Sequence, residues 1–321
     1  MVEFTVAIRA FNGERYLSLI LDKLQEQINV EDINWEIIVV DNNSTDDTAK
    51  IVKEYQSNWS KPYPLKYYFE VRQSAFLARR RAIIEAKGNL IGFLDDDNVP
   101  ASNWVAEAYS FSQSHSQAAA YGSRIHGEYE VEPPRNFERI ECFIPIIERL
   151  ETICFNSYLH GKKGLLPPGA GLVIKRNVWL EFVPEKLHFQ GPVGKSLKAK
   201  GEDIEALIYI KKAGKEIWYN PKMEIFHQIP KTRFEREYLQ KFFQGIGLGR
   251  YRLRMSRYQP WQYPFMTILY MINDLRKVVF HFLKYRKILA TDVVAAGEME
   301  LYWSTLISPF LVFNKHNSIK Q

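Results

Sequence analysis

The chain has 321 residues and only two cysteines, Cys142 and Cys154, whose spacing matches neither a zinc site nor a redox pair. A disulfide framework is thereby excluded, and a reduced, cytoplasmic setting is expected. No run of 18 or more apolar residues occurs, so no membrane-spanning helix is expected. The N-terminus, MVEFTVAIRA, lacks the shape of a signal peptide and reads as a strand that starts at once. Internal repeats, low-complexity segments and a Ser/His/Asp nucleophile set are absent too. The first strand is followed by RAFNGERYL, with no G-x-G-x-x-G. This argues against a dinucleotide-dependent oxidoreductase, although Asp41 sits where such folds hold a ribose. Gly194-Lys195-Ser196 is the tail of a phosphate loop. Phe189 stands where that motif needs its first glycine, and no strand leads into it.

What is present is an ordinary globular composition, 46% hydrophobic and 25% charged, which excludes a disordered chain. Aromatics reach 14%. The net charge of +6 is uneven: residues 231–261 carry eight basic residues against Glu235 and Glu237, as much as the whole excess. A basic segment interleaved with Phe242, Phe243, Tyr251, Tyr258 and Trp261 suits an anionic membrane surface or a diphosphate. It is equally the composition of a solvated helix face over a few core aromatics. No nucleic-acid motif accompanies it, and no nucleic-acid partner is expected.

Periodicity organises the chain. Residues 3–8 and 36–40 are apolar strands, and 65–70 a third. Tyr16 to Gln27 places Leu17, Ile20, Leu21 and Leu24 on one helical face. A second helix begins at Asp46, with Ser44 or Thr45 to cap it. A third covers 75–87 and ends at Gly88. This βαβα order predicts an α/β fold with a mostly parallel sheet flanked by helices. From residue 118 a strand pair is expected, then a helical stretch over 137–160 and a short strand at 169–176. A helix over 202–213, a short strand KEIWYNP, and only helices after His227 complete the pattern. Ile268, Leu269, Ile272, Leu275, Val279 and Phe282 form one helical stripe.

Ligands of open α/β sheets bind at the C-terminal ends of the strands. There the first strand offers Arg9 and Phe11, the second Asp41, and the apolar run Leu90–Leu94 stops at Asp95, Asp96 and Asp97. Three adjacent carboxylates are a solvated turn or an oxygen-rich cation site. Asp41 nearby and Arg79 to Arg81 on the preceding helix favour a cation and a nucleoside diphosphate. Of the three arginines, one is expected inward and two solvated.

The words VAIRAFNG, EIIVVDNNSTDDT, LARRRAIIEAKGNLIGFLDDDN and GEDIEALIYIKKAGKEIWYNP, in this order over residues 3–228, resemble family 2 glycosyltransferases of the GT-A fold. Within that family the opening FTVAIRAFNGE with VVDNNSTDDTAK is most similar to the cyanobacterial hormogonium-polysaccharide type. The resemblance implies roles. Asp41 would read the nucleobase, usually uracil, and Phe11 would stack on it. Arg79 would lie near base and diphosphate, and Asp96 would contact the ribose. Arg9 replaces a smaller family residue. Asp97 would ligate Mg²⁺ or Mn²⁺, with Asp95 and His227 as further candidates. Asp203 would be the general base, with Glu202 the second choice. Gly169 and Gly171, in PPGAGLVIKRNVW, would frame the acceptor.

These expectations amount to a metal-dependent, inverting hexosyltransferase. It would move a sugar from a nucleotide-sugar, a UDP-sugar first, to a saccharide or lipid-linked saccharide in exopolysaccharide synthesis. Residues 1–228 would form the transferase domain and 229–321 a basic, aromatic-rich helical extension. That extension would be peripheral at the inner face of the plasma membrane through 231–261. The family's processive synthases carry spans and a Q-x-x-R-W word. Neither occurs here, so one sugar per event is expected. The competing reading is a catalytically inactive relative that binds nucleotide-sugar or scaffolds an export complex.

Overall fold

A computed structural model describes residues 1–155, 166–189, 191 and 201–317. The Gly194-Lys195-Ser196 tripeptide and residues 156–160 of the expected helix lie outside the described residues. The chain divides into two compact units. The first holds 1–128, 145–188 and 202–229; the second holds 129–144, 189–201 and 230–321.

The first unit is built on one sheet, nine-stranded among the described residues, in the order β3-β2-β1-β4-β8-β6-β9-β5, with β7 beside β9. The strands β1 (Phe4–Ala10), β2 (Trp35–Asp41), β3 (Leu65–Phe69) and β4 (Leu90–Asp95) run parallel. They are joined by α1 (Leu17–Gln25), α2 (Thr48–Ser57) and α3 (Ala75–Glu85). β1 and β2 are almost wholly buried, as befits strands covered on both faces. The face of α1 bearing Leu17, Ile20, Leu21 and Leu24 is buried with Phe4, Val6 and Trp35. Each such aliphatic side chain contributes about 1.5–3 kcal/mol on leaving water. Ser74 caps α3 by accepting from the Leu77 N–H.

Beyond β4 the sheet becomes antiparallel. β8 (Val173–Lys175) pairs antiparallel with β4 and with β6 (Ala118–Tyr129). β5 (Asn98–Pro100) pairs antiparallel with β9 (Glu216–Ile229), as does β7 (Ile153–Cys154). The helices α4 (Trp104–Ser114), α5 (Arg176–Phe182) and α6 (Glu202–Lys212) complete this half.

Four local expectations need correction. The strand pair after 118 is one long strand, β6. The helix expected over 137–160 is two 3₁₀ turns, Phe137–Arg139 and Glu141–Phe143, followed by extended chain and β7. Pro145 lacks the donor a helix needs, and β-branched Ile147 bridges to Ile125 instead. The short strand KEIWYNP continues to Ile229, so His227 lies inside β9. Neither Ser44 nor Thr45 caps α2. Ser44 Oγ accepts from the Asn12 N–H, while Asp46 Oδ1 takes the Thr48 N–H at the helix start.

The second unit contains α7 (Arg236–Met255), α8 (Tyr263–Tyr285) and α9 (Val293–Asn317). Gly247 lets α7 and α9 touch, since a Cβ there would stand 2.6 Å from Ser304 Cβ and 2.9 Å from the Leu301 carbonyl oxygen. The basic residues of α7 are largely engaged within the unit. Arg254 forms a two-point ion pair with Asp274, Lys241 pairs with Glu237, and Arg236 donates to the carbonyls of Leu289 and Ala290. Arg250 lies over the Phe143 ring. Arg139 pairs with Glu298, and the His281 Nε2 bonds the Ala295 carbonyl at 2.9 Å.

Candidate functional site

Register places the first acids. Ala10 pairs with Asp41 and Arg9 with Asp95, so the C-terminal ends of β2, β1 and β4 line up in one row. The loops above that row are tied together by short polar bonds. The Phe11 N–H donates to Asp96 Oδ2 at 2.7 Å, and the Asn12 side-chain oxygen accepts from the Thr45 N–H at 2.9 Å. Asn12 and Asn43 adopt positive φ, which asparagine tolerates in such turns.

Arg9 is the hinge of the site. Its Nη2 lies 2.8 Å from Asp95 Oδ1 and its Nη1 3.3 Å from Glu202 Oε1. The start of α6 is thus held against the end of β4, although the two are more than a hundred residues apart in sequence. Burial works against the Arg9 charge, but Asp95 and Glu202 outweigh it and hold the guanidinium firmly protonated. Burial and the neighbouring Asp203 push the Glu202 carboxyl up, while Arg9 and Arg79 act in the other direction.

Asp203 follows on α6. Its Oδ2 accepts from the Gly169 N–H at 2.7 Å and its Oδ1 from the Ile204 N–H at 2.8 Å. Two backbone donors fix the carboxylate's direction without a side-chain partner that mutation or motion could remove. Gly169 also leaves room for Arg79, because a Cβ at this position would run into the guanidinium. Gly171, at φ +64, is held by its turn, and its carbonyl accepts from Ser123 Oγ at 2.6 Å. A Cβ at Gly171 would meet Ser123 and Ile225, so each glycine leaves room for a neighbouring side chain.

Arg79 is only 2% exposed, with its guanidinium over the Phe93 ring. Its Nε and Nη1 have no hydrogen-bond partner among the described residues. A buried, permanently charged group with unsatisfied donors is costly, and a substrate anion is the natural partner for it. Arg80 pairs at the surface with Glu185 and Arg81 with Glu85, so one arginine of the three points inward, as the sequence suggests.

The triple acid divides its labour. Asp95 faces Arg9. Asp96 accepts from Phe11, and its carboxyl is pushed up to about 7 by burial and then by the Asp97 charge beside it. Asp97 lies against the buried His227, with Oδ2 and Nε2 3.6 Å apart, and its Oδ1 accepts from Asn98 Nδ2 at 2.8 Å. The long strand β9 brings His227 there by pairing it with Asn98. Among the described residues no group of three or more His, Cys, Asp or Glu is arranged to enclose a metal. Asp97 and His227 offer one carboxylate and one imidazole, a pair that would leave most positions of a divalent cation to phosphate oxygens and water. A cation would also offset the charge crowding that pushes the Asp96 carboxyl up.

Asp41 is 1% exposed, and both of its oxygens are already used, by the Ser44 N–H at 2.8 Å and the Tyr67 hydroxyl at 2.7 Å. It reaches a ligand only through its remaining lone pairs. Sequence reasoning missed two residues of this site. Tyr67 orients Asp41, and Asn98 joins Asp97 to the Asp95 backbone by accepting its N–H at 3.2 Å. Asn98 had a signal, as the polar residue directly after the acid run. Tyr67 had none.

The chain and its fold are similar to those of known proteins. A sequence model described as "Glycosyl transferase family 2" matches residues 5–167. The poly(ribitol-phosphate) beta-N-acetylglucosaminyltransferase TarS of Staphylococcus aureus is 28% identical over 117 residues, 36% of this chain and 20% of TarS. The chain thus spans about a fifth of that relative in the matched region. Among solved structures, the mannosyltransferase PcManGT of Pyrobaculum calidifontis, in complex with GDP-Man and Mn2+, superposes with a TM-score of 0.60. That match has 16% identity and covers 95% of this chain and 86% of PcManGT. S. aureus TarS 1-349 in complex with UDP gives a TM-score of 0.52 at 16% identity, over 96% and 90% of the two chains. The mixed sheet with flanking helices is that of GT-A glycosyltransferases.

Proposed function

The chain belongs to glycosyl transferase family 2, and from that premise we propose that it is a metal-dependent, inverting glycosyltransferase. The observation that carries the proposal is Arg9, which joins the acids after β4 to the acids that open α6. A donor-side cluster and a base candidate are thereby brought to one edge of one sheet.

In this reading Asp203 takes the proton from the acceptor hydroxyl, a contribution of roughly 10²–10⁴-fold. Its two backbone bonds keep it aimed, and Glu202, engaged by Arg9, is a positioning residue. Arg79 supplies its unsatisfied donors to the diphosphate. Asp96 and Phe11 face the nucleoside, and Asp41, anchored by Tyr67, shapes the base pocket. Asp97 and His227 would hold the cation, which when bound neutralises charge on the departing nucleoside diphosphate. A single in-line displacement would need no covalent nucleophile.

A UDP-sugar is the first choice of donor because of Asp41. The two structural neighbours were solved with different nucleotides, so the fold does not select one. The acceptor is a saccharide or lipid-linked saccharide, and the setting exopolysaccharide or cell-surface polysaccharide synthesis. The labour divides near residue 228, with 1–228 as the transferase domain and 229–321 as the helical extension, to whose compact unit 129–144 and 189–201 also belong. The test is a thermal-shift panel of UDP, GDP and dTDP with and without Mn²⁺, since a ligand that binds the folded state alone stabilises it. Metal-dependent stabilisation by UDP supports the reading; no nucleotide effect in any combination would contradict it.

A further inference from the structure

Helix α8 is built inside out. The residues it turns toward its own unit are Asp274, Val278 and His281. Asp274 takes the Arg254 ion pair, and His281 reaches the Ala295 carbonyl and the Tyr302 ring. The opposite face holds Phe265, Ile268, Leu269, Ile272, Leu275 and Val279, at helical spacing and 46–66% exposed. A helix that packs on a core normally does the reverse. Periodicity alone makes this stripe a core face, yet it points to solvent. A continuous apolar stripe on a helix of 23 residues, about 35 Å long, is more than scattered surface hydrophobics account for.

Charge identifies what covers it. Between Tyr263 and Lys287 the only acid is Asp274, which is buried and paired. Five cations accompany it: Arg276, Lys277, Lys284, Arg286 and Lys287. Arg276 sits within the stripe itself, its guanidinium turned aside to Asn273 Oδ1 at 3.0 Å. A second copy docking stripe to stripe in parallel about a two-fold axis would bring the Arg276 pair and the C-terminal cations toward their own kind, and an antiparallel copy would offer these cations no acid from its own α8, since Asp274 is buried and paired. An anionic bilayer surface meets both features at once. It takes the apolar residues below the headgroups and leaves the long basic side chains to reach the phosphates. Among the described residues no helix is long and apolar enough to cross a membrane, so the helix would lie in the interface.

We infer that α8 is a membrane-docking helix for anionic phospholipid, seated by its exposed apolar stripe. The inference moves the contact away from residues 231–261, where Arg236, Arg250 and Arg254 are engaged inside the unit. It does not depend on the transferase chemistry. The test is co-sedimentation of the full chain with phosphatidylcholine vesicles and with phosphatidylcholine–phosphatidylglycerol vesicles. Binding to the anionic vesicles is expected to exceed binding to the neutral ones at least tenfold, and to weaken as salt rises. Leu269→Ser with Ile272→Ser should lower it at least tenfold with an unchanged circular-dichroism melt, because both side chains are solvent-exposed. Arg276→Glu with Lys284→Glu, a surface charge reversal, should abolish the anionic preference. Binding indifferent to both pairs of substitutions would overturn the inference. So would absent vesicle binding together with a dimer in light scattering that the serine variant dissolves. The thermal shift with UDP reads the transferase proposal separately, so the two can fail independently.

Discussion

Gly169 donates its backbone N–H to Asp203 Oδ2 at 2.7 Å, so the segment before β8 aims the Asp203 carboxylate. An asparagine can keep this bond by accepting it through its side-chain carbonyl. Asp203→Asn should therefore preserve the fold and nucleotide binding while lowering turnover by roughly 10²–10⁴-fold, the range for loss of a general base. Steady-state rates with matched nucleotide thermal shifts check this. Equal losses in nucleotide binding and turnover would assign Asp203 to the donor instead.

Arg9 pairs with Asp95 and Glu202, and its removal leaves two acids facing each other without a counter-charge. Breaking a fully buried pair costs about 3–5 kcal/mol. Arg9 and Asp95 keep some exposure, so about 2–3 kcal/mol is expected for Arg9→Met, discounted for solvent screening. Urea unfolding at pH 7 measures it. The loss should shrink at lower pH, where the raised Glu202 carboxyl is protonated in the fold and repulsion fades.

Arg79 offers the opposite prediction. Its Nε and Nη1 lack partners among the described residues, so Arg79→Met should leave Tm unchanged or raised. Nucleoside-diphosphate affinity should fall about 10- to 100-fold, as for the loss of charged hydrogen bonds. Calorimetric titration with UDP and Mn²⁺ separates this from a purely structural arginine, whose loss would lower Tm and spare affinity.

Burial holds the His281 imidazole below its ordinary value, with the Ala295 carbonyl acting the other way and Arg139 and Lys284 adding repulsion. The neutral form is the one that fits the fold. Its contribution to stability is complete above about pH 6.5, the unfolded value, and is lost as pH falls through the lower folded value. Tm should drop between pH 7 and 5, and His281→Gln, which can still donate to Ala295, should flatten that drop. An unchanged slope in the variant would assign the acid sensitivity elsewhere.

The parallel half of the fold was legible because each strand of it is an apolar run ended by polar residues, and each helix repeats on one face. The site acids were legible for the same reason, since Asp41 and Asp95 simply end β2 and β4. Contacts across the sequence were not. Nothing local to Arg9 announces Glu202, and His227 reaches Asp97 only because β9 runs on past the point where KEIWYNP seems to stop. Residues 137–155 misled because apolar spacing outweighed Pro145. The α8 stripe was read correctly as a helix face, but periodicity carries no information on which side of a face the protein lies.

The most direct measurement is sugar transfer itself. Purified chain is incubated with labelled UDP-sugars, Mn²⁺ and a membrane extract as acceptor, alongside Asp97→Ala and Asp203→Asn. The account predicts metal-dependent incorporation by the wild type, lost on chelation and reduced at least a hundredfold in both variants. Transfer that survives both substitutions, or its absence from the wild type with every nucleotide-sugar, would contradict it.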